Sequence, residues 1–200
     1  MKNTDESIKF EEFRKLCGGS RSVRSFKREN IEKETLEKLC DLCRYTPSTA
    51  NLQALKLRPV CEAGETASVF AATKWAGYIK DEKLPPEGHE PAAYIIICCD
   101  REIAPNVVPF YKDTGICAQT VMLGARALGL GGCMIGSFDA EKIKATLRLP
   151  QQYEITLVLA LGVPDEAPEI VNAESGDIKY YRRGGQHFVP KRALEEIIIR

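Results

Sequence analysis

Apolar positions along this chain recur with two different periods, and the switches between them mark its elements. Residues 7–17 carry Phe10, Phe13 and Cys17 on one helical face, and Gly18-Gly19 end the helix. Leu36, Leu39, Cys40 and Cys43 form a second helical stripe. Asn30 is its expected N-cap, with Glu32 and Glu34 in the first turn. That helix ends near Thr46-Pro47, because a residue before proline avoids the α region. A strand is expected over residues 55–61, a helix over 65–80 and a polar, proline-rich loop over 81–91. Residues 93–99, AYIIICC, read as a buried strand by their length and unbroken apolarity. A long, mostly apolar helix follows over 113–128, closed by Gly129, Gly131 and Gly132. Asp139 caps another helix that stops at Leu149-Pro150, and residues 154–161 form a second central strand.

The C-terminal part breaks this pattern. From about residue 165 apolar residues are sparse until FVPKRALEEIII, and Ser175-Gly176 and Gly184-Gly185 signal turns. Such a tail builds no core of its own, so it is expected to wrap over the domain or over a second subunit. Helices and strands do not alternate strictly, and no G-x-G-x-x-G joins a strand to a helix. That disfavours a Rossmann dinucleotide fold. One domain over residues 1–200 fits better, with a central sheet, long helices on its faces and a reaching arm.

Composition narrows the function. The chain is 44% hydrophobic and 28% charged, as in ordinary soluble proteins. Its 28 basic and 28 acidic residues cancel, so no global field draws it to nucleic acid or to a membrane. Any anion site must be local. The N-terminus has no apolar signal region, and the longest apolar stretches, residues 92–99 and 155–163, are too short to cross a bilayer. Eight cysteines in that context read as reduced thiols of a cytoplasmic protein. Cys40-x-x-Cys43 lacks a second pair at zinc spacing, which argues against a metal site, and Cys98-Cys99 must point to opposite faces of a strand. Two histidines and no G-x-S-x-G leave a hydrolase little to work with.

Four stretches carry groups that could hold a ligand. SRSVRSF, residues 20–26, sets two arginine forks among hydroxyls, a composition suited to phosphate but also to a solvated turn. PSTANLQ, residues 47–53, packs hydroxyls and amides between a helix end and a strand, where binding loops and plain turns both occur. GLGGCMIGS, residues 129–137, gives close backbone approach without the Gly-Lys-Ser/Thr of a phosphate-binding P-loop. Lys191-Arg192 adds two adjacent cations near the C-terminus.

Together, in this order, the four stretches resemble the nitroreductase family of FMN-dependent oxidoreductases over nearly the whole chain. The resemblance implies an α+β sandwich: a mixed, mainly antiparallel sheet flanked by helices, in a homodimer whose C-terminal arm is swapped onto the partner subunit. FMN would lie at the subunit interface, NADH or NADPH would be the transient donor, and a small nitroaromatic or quinone the acceptor, in ping-pong order. The same implication assigns Arg21 to the FMN phosphate, Ser22 to the ribityl chain and Arg24 to the N1–O2 edge of the flavin. Pro47, Ser48, Thr49, Asn51 and Gln53 would reach the flavin from the second subunit. Met134, Ile135, Gly136 and Ser137 would pass its dimethylbenzene and N5 side, where Gly136-Ser137 departs from the family's acidic residue and glycine. Lys191 and Arg192 would be the terminal phosphate cations, at a spacing shifted from the common K-x-R. Trp75 either lines the substrate pocket or belongs to the core. The rival readings are a flavin-binding or ligand-sensing protein of the same fold with little turnover, and a thiol redox or metal protein using Cys40 and Cys43.

Overall fold

The computed structural model describes residues 4–79 and 81–200. Its centre is β2 (Ala93–Asp100), buried at every position. A strand with that sequence has no polar face to give to water, so both of its sides must be covered. On one side Ile95 and Ile97 join Leu36 and Leu39 of α2 (Lys33–Asp41) and Val121 of α4 (Tyr111–Ala127). On the other, Tyr94, Ile96 and Cys98 join Val69 of α3 (Ala63–Phe70) and Ile143 of α5 (Ala140–Leu147). The result is a helix–sheet–helix sandwich. Cys98 and Cys99 fall into different clusters, as strand alternation requires.

β1 (Leu55–Val60), β3 (Gly131–Ile135) and β4 (Tyr153–Gly162) complete a four-stranded sheet in the order β1-β2-β4-β3. All three of its pairings are antiparallel. Asp139 caps α5 by accepting from the Lys142 N–H at 3.0 Å, as its position before the helix predicts. α1 (Thr4–Gly19) is longer than its apolar pattern, and Phe10 and Phe13 stand more than half exposed on it instead of meeting the core.

Three expectations need correction. Asn30 does not cap α2, which starts at Lys33 behind Glu32; its last turn tightens into a 3-10 turn, Leu42–Tyr45. The helix expected over 65–80 stops at Phe70. There the Thr73 hydroxyl turns back to the Phe70 carbonyl at 2.8 Å, and the Lys74 N–H donates to the Ser137 carbonyl at 2.9 Å, so the backbone bonds across the chain instead of along a helix. The expected end of that helix, Lys80, lies outside the described residues. Finally, the cysteines are not all thiols: Cys43 and Cys117 form a disulfide with Cα atoms 5.3 Å apart. The 3-10 turn aims Cys43 at α4, where Cys117 is buried.

The tail is more ordered than its composition suggests. β5 (Glu169–Asn172), β7 (Gln186–Lys191) and β6 (Tyr181–Arg183) form a second sheet with β7 in the middle, parallel to β5 and antiparallel to β6. Tyr181 stacks on Phe188 within it, ring centroids 5.2 Å apart. A short helix, α6 (Leu194–Ile197), follows and leaves Leu194, Ile197, Ile198 and Ile199 exposed.

Candidate functional site

SRSVRSF is laid across the end of the main sheet. The Val23 N–H donates to the Gly132 carbonyl at 2.9 Å, the Phe26 N–H to the His89 carbonyl at 3.1 Å and the Lys27 N–H to the Val163 carbonyl at 2.9 Å. Val23 and Phe26 are buried. Glycines make this docking possible: a Cβ on Gly162 would stand 2.5 Å from Phe26 Cδ1, and one on Gly131 2.9 Å from Val23 Cγ2. The glycines in and beside GLGGCMIGS therefore admit a neighbouring segment of chain. In an extended segment the neighbours of an inward residue point outward. Ser22 and Arg24 accordingly face away from Val23, into a cavity of about 320 Å³.

Four of the seven residues in that stretch line the cavity: Ser20, Arg21, Ser22 and Arg24. Met134 of β3 and Lys191 of β7 join them. Five further lining residues were not singled out in the sequence: Gln119 and Met122 of α4, and Tyr180, His187 and Val189 of the arm. Among the described residues no carboxylate lines it. Arg24 is 8% exposed, and its guanidinium carbon lies 4.5 Å from the centroid of the Tyr180 ring. Tyr180 in turn meets Tyr78 edge-on at 5.2 Å and tilts against His187 at 5.6 Å.

Behind the cavity wall Glu166, half-buried with its side chain 8% exposed, accepts from the Arg24 backbone N–H and from the Arg182 guanidinium. Arg182 also faces Glu82 at 3.7 Å. The carboxylate thereby ties the arm to the segment carrying Arg24. His187 is 1% exposed; burial first, then Arg24 and Arg182, push its pKa down to about 4. It is therefore a neutral imidazole at ordinary pH.

The PSTANLQ residues collect elsewhere. Pro47, Ser48, Asn51 and Gln53 line a second cavity, about 470 Å³, with Cys40, Cys117 and Asp113. Asp113 organises this loop, a role its sequence position does not announce. It accepts from the Thr49 N–H at 2.7 Å, the Thr49 hydroxyl at 2.7 Å and the Ser48 hydroxyl at 3.0 Å. Burial pushes its carboxyl up, but the bonds from Thr49 and Ser48, with Lys112 nearby, outweigh that and hold it below the ordinary 3.8. Held in this way, Ala50, Asn51 and Gln53 adopt left-handed backbone, at φ 50°, 55° and 51°. Three such residues without a glycine is a costly arrangement, of a kind that concentrates at functional loops.

The remaining expected site residues are dispersed. Ile135 is buried, Gly136 is exposed, and Ser137 uses its carbonyl to hold Lys74. Arg192 is ion-paired with Glu196 at 3.1 Å and lines neither cavity. Trp75 packs beside the core, 6.2 Å from the Phe70 ring, with its indole N–H on the Thr73 hydroxyl at 2.9 Å. It too lines neither cavity. The two halves of the expected cradle thus belong to different pockets of one chain.

The α+β sandwich thus docks an arginine-bearing segment beside a cavity lined by Arg21, Arg24 and Lys191. This chain belongs to the nitroreductase family, whose model matches residues 19–163. It is 24% identical over 152 residues to a Methanothermobacter thermautotrophicus protein named putative NADH dehydrogenase/NAD(P)H nitroreductase, covering 74% of this chain and 75% of that one. It is 24% identical over 164 residues to the NADPH-flavin oxidoreductase of Vibrio harveyi, covering 75% of this chain and 65% of that one. The fold is shared with an FMN-dependent nitroreductase from Clostridium difficile at a TM-score of 0.64 and 24% identity, covering 84% of this chain and 97% of the other.

Proposed function

We propose that this chain is an FMN-dependent oxidoreductase that works as a homodimer, taking electrons from NADH or NADPH and passing them to a small electron-poor acceptor such as a nitroaromatic or quinone. The observation that carries this reading is the donor set of the smaller cavity. Arg21, Arg24 and Lys191 line it, and the buried Nε atoms of both arginines have no hydrogen-bond partner among the described residues. A phosphate ester joined to a polar ring system answers that set, because guanidinium forks match phosphate and carbonyl oxygens. Arg21 and Lys191 are assigned to the phosphate, Ser22 to the sugar-alcohol chain and Arg24 to the electron-rich edge of the ring.

When bound, FMN supplies the hydride chemistry. The chain's residues orient it and oppose the negative charge that reduction adds, and Arg24, buried, does so at low dielectric cost. The loop that holds Ser48, Thr49, Asn51 and Gln53 is assigned to the cradle of the neighbouring subunit. Exposed Phe10 and Phe13 on α1, Ile116 on α4 and the apolar end of the arm from Ile197 to Ile199 support a second copy as their cover. The end of the arm from Leu194 onward, exposed on this chain, is assigned to that embrace, whereas Glu166 to Lys191 pack on the chain's own cavity.

The absorbance spectrum of the purified protein tests this directly. Flavin bands are expected, and NADH or NADPH should bleach them without oxygen. Bands that stay yellow with both donors would leave a flavin-binding protein with little turnover. Removing the chain from Arg183 onward should weaken dimerisation and FMN binding together; an intact yellow dimer would overturn the embrace.

A further inference from the structure

His187 is buried with both ring nitrogens lacking a hydrogen-bond partner among the described residues, and it lines the cavity that holds Arg21 and Arg24. A buried imidazole left unpaired costs stability, so its persistence calls for a partner that the chain itself does not supply. The geometry of β7 narrows what that partner is. His187, Val189 and Lys191 alternate along the strand and all line the cavity. At roughly 3.3 Å per residue, His187 stands about 13 Å from Lys191 along β7. One pole of the cavity therefore carries Lys191, and the other carries His187 beside Arg24, both packed on the Tyr180 ring.

The chemistry at the second pole is specific. Arg24 can only donate hydrogen bonds, whereas a neutral imidazole offers one donor and one acceptor. Glu166 lies 3.9 Å from His187 Nδ1, too far for a hydrogen bond, but its charge favours the tautomer with the proton on Nδ1. Nε2 is then a bare acceptor. Arg24 and Arg182 oppose any further proton on the ring, and burial works in the same direction.

We infer that His187 recognises the ring of the cofactor: Nε2 accepts from an imide N–H whose adjoining carbonyl takes a hydrogen bond from Arg24. The O=C–N–H edge of the flavin pyrimidine ring has this pattern, so the inference rests on the FMN reading above and adds a residue that delivers ring specificity. The arm then contributes recognition at both ends of the ligand, Lys191 at the phosphate and His187 at the ring.

The test is a fluorescence titration of the full chain with FMN and with riboflavin, which shares the ring but lacks the phosphate. His187→Leu should weaken both by about the same factor, roughly tenfold for one buried hydrogen bond. His187→Gln, which keeps an acceptor, should stay within about threefold of the parent. Equal affinity of the leucine variant and the parent would overturn the inference, and so would a loss confined to FMN, which would move the contact to the phosphate end. A parent chain that binds neither flavin would overturn the FMN reading itself and this assignment with it. Should His187→Leu fail to fold, the unmodified protein still decides. It has only two histidines, His89 and His187, so ring ¹⁵N signals can be assigned with His89→Gln. FMN should shift the Nε2 signal of a neutral His187; an unmoved signal at saturating FMN overturns the inference.

Discussion

The Arg24 guanidinium carbon lies 4.5 Å from the centroid of the Tyr180 ring, so the cation at the heart of the cavity is covered by a residue of the C-terminal arm. A desolvated cation–π contact of this kind contributes about 2 kcal/mol. Glu166 couples the same two parts from behind, through the Arg24 backbone and the Arg182 side chain. The arm and the segment that presents Arg24 are thus tied together from both sides.

Arg24→Ala should therefore lower FMN affinity by about tenfold or more, through loss of a charge-assisted contact. Tyr180→Ala should lower it less, and Tyr180→Phe should preserve it, because the ring face and not the hydroxyl meets the cation. Flavin fluorescence titration reads all three. Unchanged FMN affinity in Arg24→Ala would remove that residue from the cradle.

Asp113 gives the Pro47–Gln53 region a dependence on acid. Its folded-state pKa lies below the ordinary 3.8, so the unfolded chain binds its proton first as pH falls. The stability contributed by the Ser48 and Thr49 bonds is present above that ordinary value and is lost as pH falls through the folded value. Asp113→Asn should cost about 2 kcal/mol at neutral pH and remove this part of the acid sensitivity. Urea denaturation of both proteins at pH 7 and in acid measures it; parallel pH profiles would contradict the role given to Asp113.

Gly132 is where the sheet and SRSVRSF meet. A Cβ there would stand 2.2 Å from the Ala160 carbonyl oxygen, a backbone atom that cannot swing away. Gly132→Ala should force β3 from β4, pull on the Val23 bond and cost about 3 kcal/mol. Thermal denaturation should show the loss, whereas Gly136→Ala, with open space around it, should be close to neutral.

The Cys43–Cys117 bond closes a long loop, with a sequence separation of 74 residues. Thiol titration of the denatured, unreduced protein should find six of the eight cysteines free, and all eight after reduction. Reduction should lower stability by about 4 kcal/mol on the chain-entropy account. Eight thiols without reductant would show the pair to be open in solution.

Much of the architecture is written locally. The apolar run of β2, the cap at Asp139, the stripe of α2 and the long apolar run of α4 each act through neighbours within a few residues, and these were readable. Where the expectation failed, a distant partner had outbid the local pattern. Ser137 and Phe138 stop the helix before Trp75 by pairing with Lys74 and Thr73, and no window around Trp75 contains them. The arm was expected only to wrap, without β5, β6 and β7, because partners that hold it, Arg24 among them, lie far back in the chain.

From sequence alone came β1, β2, β4 and the main helices, the family likeness and the identity of the arginines that could meet an anion, since these depend on residue type and short spacing. Tertiary structure alone decided that Arg21, Arg24 and Lys191 share one cavity while Ser48 and Asn51 line another. It also decided that Asp113 anchors the loop and that His187 is buried without a partner beside Arg24. Burial and pairing across a fold are properties of the assembled chain, because the free energy of a charged or polar group is set by what surrounds it and not by its sequence neighbours.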